Sequence, residues 1–186
     1  LIRKDIDKLK RDLKIISKSG KTQRKNRQGE FSVSLVGYTN AGKSTIMNVL
    51  SGADVFVEDQ LFATLDTTIR QVNINDSHQV LLSDTVGFVR KLPHDLVASF
   101  RSTLKEVVDA DLLLVVLDAS SPHVSDHYKT IKNVLDEIDA GDKRSLIVLN
   151  KIDLVEDMKI LDQLKQTFPE AVMISALDKL RLDELL

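Results

Sequence analysis

The rhythm of hydrophobic positions changes at residue 31. Before it, Ile2, Ile6, Leu9, Leu13 and Ile16 recur at steps of four, three, four and three, placing one apolar stripe on a helix whose other faces carry lysine and arginine. Two heptads are too few for an independent coiled coil, so the stripe is expected to pack on a neighbouring element. Residues 17–30, "SKSGKTQRKNRQGE", hold five basic residues ahead of a single acid and read as a polar linker.

From Phe31 onward, strand and helix patterns alternate. "FSVSLVG" reads as a strand and "KSTIMNVL" opens a helix directly after the next loop. "IRQVNI" and "QVLLSD" read as two strands joined by the turn "NDSH". "DLVASFRSTLKEVV" is helical, and "ADLLLVVLD" is a continuous apolar run, as expected of a strand buried on both faces. "PHVSDHYKTIKNVLDEI" follows, with Pro122 at the first helical turn, where its missing N–H costs nothing. "SLIVLN" is a second buried strand, "EDMKILDQLKQTF" a helix and "AVMIS" a short strand; "LDKLRLDELL" continues as a last helix. The pattern predicts an α/β fold: a mostly parallel sheet with helices on both faces and right-handed crossovers, preceded by an N-terminal helix. Two units are expected, a basic helix and linker at 1–30 and a domain at 31–186.

Composition narrows the class. With 42% hydrophobic and 29% charged residues in 186, the chain has the make-up of a globular protein large enough to bury a full core. No run approaches the ~18 apolar residues that a membrane-spanning helix needs. The absence of cysteine excludes disulfides and thiolate metal sites and fits a reducing cytoplasm. The net charge of −2 conceals an asymmetry: residues 1–30 carry eleven Lys/Arg against four Asp/Glu, the remainder fifteen against twenty-four. A basic arm on an acidic domain is a candidate for contact with nucleic-acid phosphates, or else a solvated helix face and linker. Opening on Leu1 and stopping inside a helical pattern, the chain is expected to be part of a longer protein.

The candidate chemistry starts between the first strand and the first helix. Gly37 to Ser44 fits G-x-x-x-x-G-K-[ST] in the context that gives this motif its meaning. Gly37 and Gly42 permit a close backbone approach, so the N–H groups of Tyr38, Thr39, Asn40, Ala41 and Gly42 can line an anion cradle at the helix N-terminus. Lys43 can reach β- and γ-phosphates, the Ser44 hydroxyl can ligate Mg2+, and Thr45 completes the loop. This predicts a nucleoside triphosphate and leaves the base open.

Three further stretches address the base and the switch. In "DTVG" (Asp84, Thr85, Val86, Gly87), Asp84 can hold Mg2+ through a water and the Gly87 N–H can meet the γ-phosphate. In "NKID" (Asn150, Lys151, Ile152, Asp153), the Asp153 carboxylate can accept both the N1–H and the 2-amino group of guanine. Adenine offers no donor at either place and would leave that carboxylate unpaired, at a cost of ~1–3 kcal/mol. Asn150 is expected to tie this loop to the phosphate loop, and the Lys151 stem to lie along the base. In "SAL" (Ser175, Ala176, Leu177), the Ala176 N–H is expected to donate to the guanine oxygen.

These motifs, in this order and spacing, resemble those of a translation-factor-type P-loop GTPase, a P-loop NTPase with a Ras-like G domain. "VGYTNAGKST", "DQLFATLDTTIR", "DTVGFVRKLP" and "DADLLLVVLDAS" resemble the HflX family of ribosome-associated GTPases over residues 31–177. A hydroxyl from Thr64, Thr67 or Thr68 is expected to join Mg2+ and the γ-phosphate. The family pattern F-A-T-L-D maps onto Phe62, Ala63, Thr64, Leu65 and Asp66, and so selects Thr64. The residues after that aspartate depart from the family's frequent proline, threonine, threonine, reading Thr67, Thr68, Ile69.

The resemblance implies a GTP phosphohydrolase with Mg2+ as cofactor, Lys43, Thr64 and Gly87 at the reacting phosphate, and loops 54–68 and 84–95 as the switch. Phe88 stands where self-sufficient GTPases carry the glutamine that orients water, so turnover alone should be slow and a partner should supply the missing group. That implied partner is the large (50S) ribosomal subunit and its rRNA, with a role in ribosome splitting, rescue or hibernation. Lys18, Lys21, Arg24, Lys25 and Arg27 are candidate rRNA phosphate contacts. A cytoplasmic monomer that binds GTP and GDP is expected; the alternative is a nucleotide-gated binding module in which hydrolysis is incidental.

Two signals are discounted. His123 and His127 stand four apart around Asp126, yet the glutamate of H-E-x-x-H is missing, so both read as surface histidines. Asp118 reads as a turn residue, with Ser121 capping the next helix, in preference to a catalytic acid.

Overall fold

The computed structural model describes residues 30–52, 68–75, 78–85, 87 and 104–185. The strands are β1 (Phe31–Gly37), β2 (Thr68–Asn75), β3 (His78–Asp84), β4 (Leu112–Asp118), β5 (Ser145–Asn150) and β6 (Val172–Met173). They form one six-stranded sheet in the order β2-β3-β1-β4-β5-β6. All neighbours are parallel except the hairpin partners β2 and β3. The helices are α1 (Lys43–Ser51), α2 (Val124–Glu137) and α3 (Met158–Thr167), and residues 104–109 are also helical.

The continuous apolar runs have a direct cause: both faces of the central strands are covered. On β4, Leu113, Val115 and Leu117 face a core that contains Ile131, Leu135, Leu164 and Val107. Leu114 and Val116 face the opposite core, with Ile46 and Met47 of α1. Where polar groups enter this interior they meet each other: the Ser83 hydroxyl donates to Ser34 Oγ at 3.0 Å across the β3–β1 pair, which are register partners. That pairing satisfies buried hydroxyls that would otherwise be costly. Arg70 on edge strand β2 donates to Asn48 Oδ1 at 2.8 Å and to Ser51 Oγ at 3.0 Å, fastening the end of α1 to the sheet.

Among the described residues, the pattern placed every strand, with shifts at the ends. Helix α2 begins at Val124, and Pro122 lies in the preceding turn rather than in the first helical turn. Ser121 accordingly caps that turn, its hydroxyl accepting from the His123 N–H at 3.2 Å, while the helix N-cap position, His123, makes no side-chain cap. The expected last helix over "LDKLRLDELL" is replaced by a turn closed by reciprocal Ser175–Leu180 backbone bonds, followed by a short 3-10 segment at Leu182–Leu185. Lys179 and Arg181 have φ of 57° and 55°, which break helical continuity. Leu182 and Leu185 still pack on the α1-side core, so the apolar spacing served packing without an α-helix.

The stripe at 2–16, the linker with its basic residues, Phe62 to Asp66, Thr67, Val86, Phe88 and residues 95–103 lie outside the described residues. Among the described residues, no helix is long and apolar enough to cross a membrane.

Leu35 in β1 has no exposed surface and belongs to the α1-side core. Leu35→Ala should therefore lower unfolding free energy by about 2–5 kcal/mol, read as a lower urea midpoint at unchanged slope.

Candidate functional site

Strand β1 ends at Gly37, which packs so closely on the Val116 carbonyl that a Cβ would collide with its oxygen. The chain then turns through Tyr38–Ala41, with Asn40 at φ 59° and the Ala41 N–H donating to Tyr38 O at 3.2 Å. Gly42, at φ 91°, adopts a left-handed conformation that side chains resist, and α1 starts at Lys43. The loop thereby wraps onto a helix N-terminus, where amides and helix dipole favour an anion.

Charged and hydroxyl groups converge on this loop. Lys43 is 6% exposed and its Nζ donates to Tyr38 O at 3.0 Å. Burial pushes its pKa from 10.5 down to about 8, against the opposing pull of the Asp84 carboxylate. The Ser44 hydroxyl donates to Asp84 Oδ2 at 2.5 Å, joining the loop to the buried end of β3. Thr85 turns the chain away from β3 by donating to Leu35 O at 2.6 Å. Gly87 then lies directly against the loop: a Cβ there would stand 2.8 Å from Thr39 Cα and 3.0 Å from Lys43 Nζ. Thr45 is half-buried on α1.

Asn150, 2% exposed at the end of β5, bridges to this loop from the other side. Its Nδ2 donates to Ala41 O at 2.9 Å, and its Oδ1 accepts the Ala176 N–H at 3.0 Å. A Cβ on Gly42 would collide with the same Nδ2, so the second loop glycine also serves this contact. The expected tie between the two loops is therefore made. The Ala176 N–H donates to the Asn150 carboxamide, whose orientation Ala41 fixes.

Lys151 adopts φ 66° and pairs through Nζ with Asp118 Oδ2 at 2.9 Å. Ile152 and Asp153 lie in the 3-10 turn Ile152–Leu154, Asp153 exposed. Ser175 is buried with its hydroxyl accepting from the Asp178 N–H at 3.1 Å, while Leu177 is exposed.

Two residues carry more than the sequence suggested. Asp118 makes the expected turn, accepting the Ser120 N–H at 3.0 Å, and also holds Lys151. His127 is no ordinary surface histidine: its ring stacks on Tyr38 of the phosphate loop, centroids 4.0 Å apart and 13° from parallel. The signal was present, since His127 continues the buried stripe of Val124, Ile131 and Val134 at helical spacing.

A glycine loop folded onto a helix N-terminus, with lysine, serine, aspartate and a second glycine converging on it at the carboxyl ends of a mostly parallel sheet, defines a P-loop NTPase domain. The family model of the 50S ribosome-binding GTPase matches residues 32–151. Among curated relatives, the GTPase HflX of Magnetococcus marinus is 50% identical over 165 residues, covering 88% of this chain and 38% of its own length. That of Flavobacterium psychrophilum is 52% identical over 160 residues, covering 86% and 38%. The structure also resembles Era in complex with MgGDPNP and 16S rRNA nucleotides 1506–1542, at TM-score 0.65 and 28% identity, covering 83% of this chain and 54% of that one. The chain belongs to the 50S ribosome-binding GTPase family, and its resemblance to HflX GTPases extends over most of its length. It spans 36–39% of the length of the first curated relatives it matches.

The buried Lys43 charge weakens the fold while no anion is bound. Folded and unfolded states are both protonated below pH 8, so the penalty, about 3 kcal/mol, is present there in full and fades as pH rises from 8 towards 10.5. Lys43→Met should raise the melting temperature of the nucleotide-free protein at pH 7, and the gain should shrink by pH 10, as measured by thermal denaturation at the two pH values.

Proposed function

We propose that this chain is the GTP-binding and GTP-hydrolysing domain, residues 31–186, of an HflX-like GTPase acting on the large ribosomal subunit, with residues 1–30 as the basic helix and linker leading into it. The observation that carries the reading is the Asn150 clamp, which joins the phosphate loop at Ala41 to the loop bearing Ala176. It makes recognition of the base and grip on the phosphates parts of one rigid site.

The amides of Gly37 to Thr45 cradle the β- and γ-phosphates, and Lys43 exchanges the Tyr38 carbonyl for phosphate oxygens, whose charge restores its full protonation. The donor set at Ser44 and Asp84 fits Mg2+: two hard oxygens 2.5 Å apart, one of them a buried carboxylate. Ser44 and Thr64 would ligate the ion and Asp84 would hold one of its waters. An Mg2+ held by these residues would supply positive charge that offsets the negative charge of the triphosphate. Era, the neighbour solved with MgGDPNP, supports this assignment.

Hydrolysis is attack of water on the γ-phosphorus, with the bond to the β–γ bridging oxygen breaking and GDP leaving. Lys43 and the Gly87 N–H stabilise the charge that develops on the γ-oxygens and the bridging oxygen. Phe88 cannot orient the water, so turnover is slow until the large subunit completes the site. Phe62, Ala63, Leu65 and Asp66 shape the switch around Thr64, with Thr85 and Val86 in the second switch segment. Asp153 reads guanine, with Ile152, Ser175 and Leu177 beside the base. The Ala176 N–H would be shared between Asn150 Oδ1 and the guanine oxygen, so the clamp stays in place when the base is present. Lys18, Lys21, Arg24, Lys25 and Arg27 meet rRNA phosphates. The whole protein works as a cytoplasmic monomer that splits or rescues ribosomes.

Phosphate release from GTP by this chain, alone and with purified large subunits, tests the reading. Slow release accelerated at least about tenfold by the subunits is expected. Unchanged release would favour the nucleotide-gated binding module instead. Asp153→Asn should move preference from guanosine to xanthosine nucleotides, because the 2-oxo group of xanthine needs a donor. A mutant that still prefers GTP in calorimetric titrations would refute the assignment of Asp153.

A further inference from the structure

We infer that Asp118 is a positioning residue for base recognition, acting through Lys151. The inference rests on the GTP-binding reading above. Asp118 and Asn150 end β4 and β5 and are register partners in the parallel ladder. The ladder is extended by the Ala119 N–H donating to Asn150 O at 2.8 Å, so Lys151 leaves β5 directly beside the end of β4. Lys151 does so at φ 66°, a left-handed conformation that is strained for a non-glycine residue and persists where surrounding contacts hold it.

The contact that holds it is well defined. Asp118 Oδ1 accepts from the Ser120 N–H at 3.0 Å and from its hydroxyl at 2.6 Å. That leaves Oδ2 for the Lys151 ammonium, 2.9 Å away, with the two side chains only 21% and 22% exposed. One carboxylate oxygen is thus locked by the turn and the other by the lysine. The ammonium is drawn to the β4 end while its backbone sits at the β5 end, so the four-carbon stem is laid between the two strand ends. A lysine held this way offers methylene surface to the flat face of a base, and its charge is already matched. Asp118 therefore acts on the nucleoside half of the ligand and not on the phosphate half.

The test is a double-mutant cycle on the whole chain, with GDP and GTP affinities measured by fluorescent-nucleotide titration. Asp118→Asn keeps an acceptor for Ser120 and removes the charge that holds Lys151; Lys151→Met keeps an apolar stem and removes the ammonium. Each single variant should weaken GDP and GTP by the same factor, about three- to tenfold, and narrow the preference for guanine over adenine nucleotides. Adding Asp118→Asn to Lys151→Met should cost less than about twofold more. Wild-type affinity in Lys151→Met, an equal Asp118→Asn penalty in both backgrounds, or unequal effects on GDP and GTP would each overturn the inference. If Asp118→Asn does not fold, wild-type affinity in Lys151→Met still overturns the inference. A wild-type chain that binds no guanine nucleotide would instead overturn the proposed function, a separate failure.

Discussion

The Asn150 carboxamide has one nitrogen and one oxygen to offer, and the structure directs each to a different loop. Nδ2 holds Ala41 in the phosphate loop and Oδ1 holds Ala176 beyond β6, both within a residue that is 2% exposed. A buried amide with one partner removed would strand a polar group at a cost of about 1–3 kcal/mol, so the two loops are placed together or not at all. Gly42 accepts this constraint, because any side chain there would strike the amide nitrogen. The second loop glycine thus answers to the far loop as well as to its own left-handed backbone.

Around that clamp, the carboxyl ends of five strands deliver the site: Gly37 from β1, Asp84 from β3, Asp118 from β4, Asn150 from β5 and Ser175 just past β6. Parallel neighbours make this convergence automatic, since each of these five strands points its end at the same edge. Two-sided burial makes that edge rigid. The core on the α1 face and the core on the α2 face draw alternate residues from the same strands, so a strand end cannot shift without disturbing both layers.

The electrostatics follow from burial. Lys43, Ser44 and Asp84 are drawn together at low exposure, which lowers the lysine pKa to about 8 and leaves a cation and a carboxylate side by side. Such an arrangement is uncomfortable by itself and becomes favourable when a polyphosphate and its counter-ion complete it. The Tyr38–His127 stack adds support of a different kind, fixing the aromatic member of the loop against α2.

Among the described residues the sequence by itself placed the strands, most of the helices and the glycine loop ahead of a helix N-terminus, because period, glycine placement and motif spacing are local properties of the chain. It also located Asp84 and Asn150 at strand ends and Gly87 and Asp153 just beyond them, where β3 and β5 deliver them. It could not say that Asp118 holds Lys151, that Asn150 occupies the Ala176 N–H, or that His127 stacks on Tyr38. It also read a helix where the Ser175–Leu180 bridge makes a turn. Those facts belong to tertiary structure, for a physical reason. Asn150 and Ala41 stand 109 residues apart, and no periodicity spans that distance. Such partners are chosen only when the parallel ladder sets neighbouring strand ends in register and the packed helices leave each side chain one place to go.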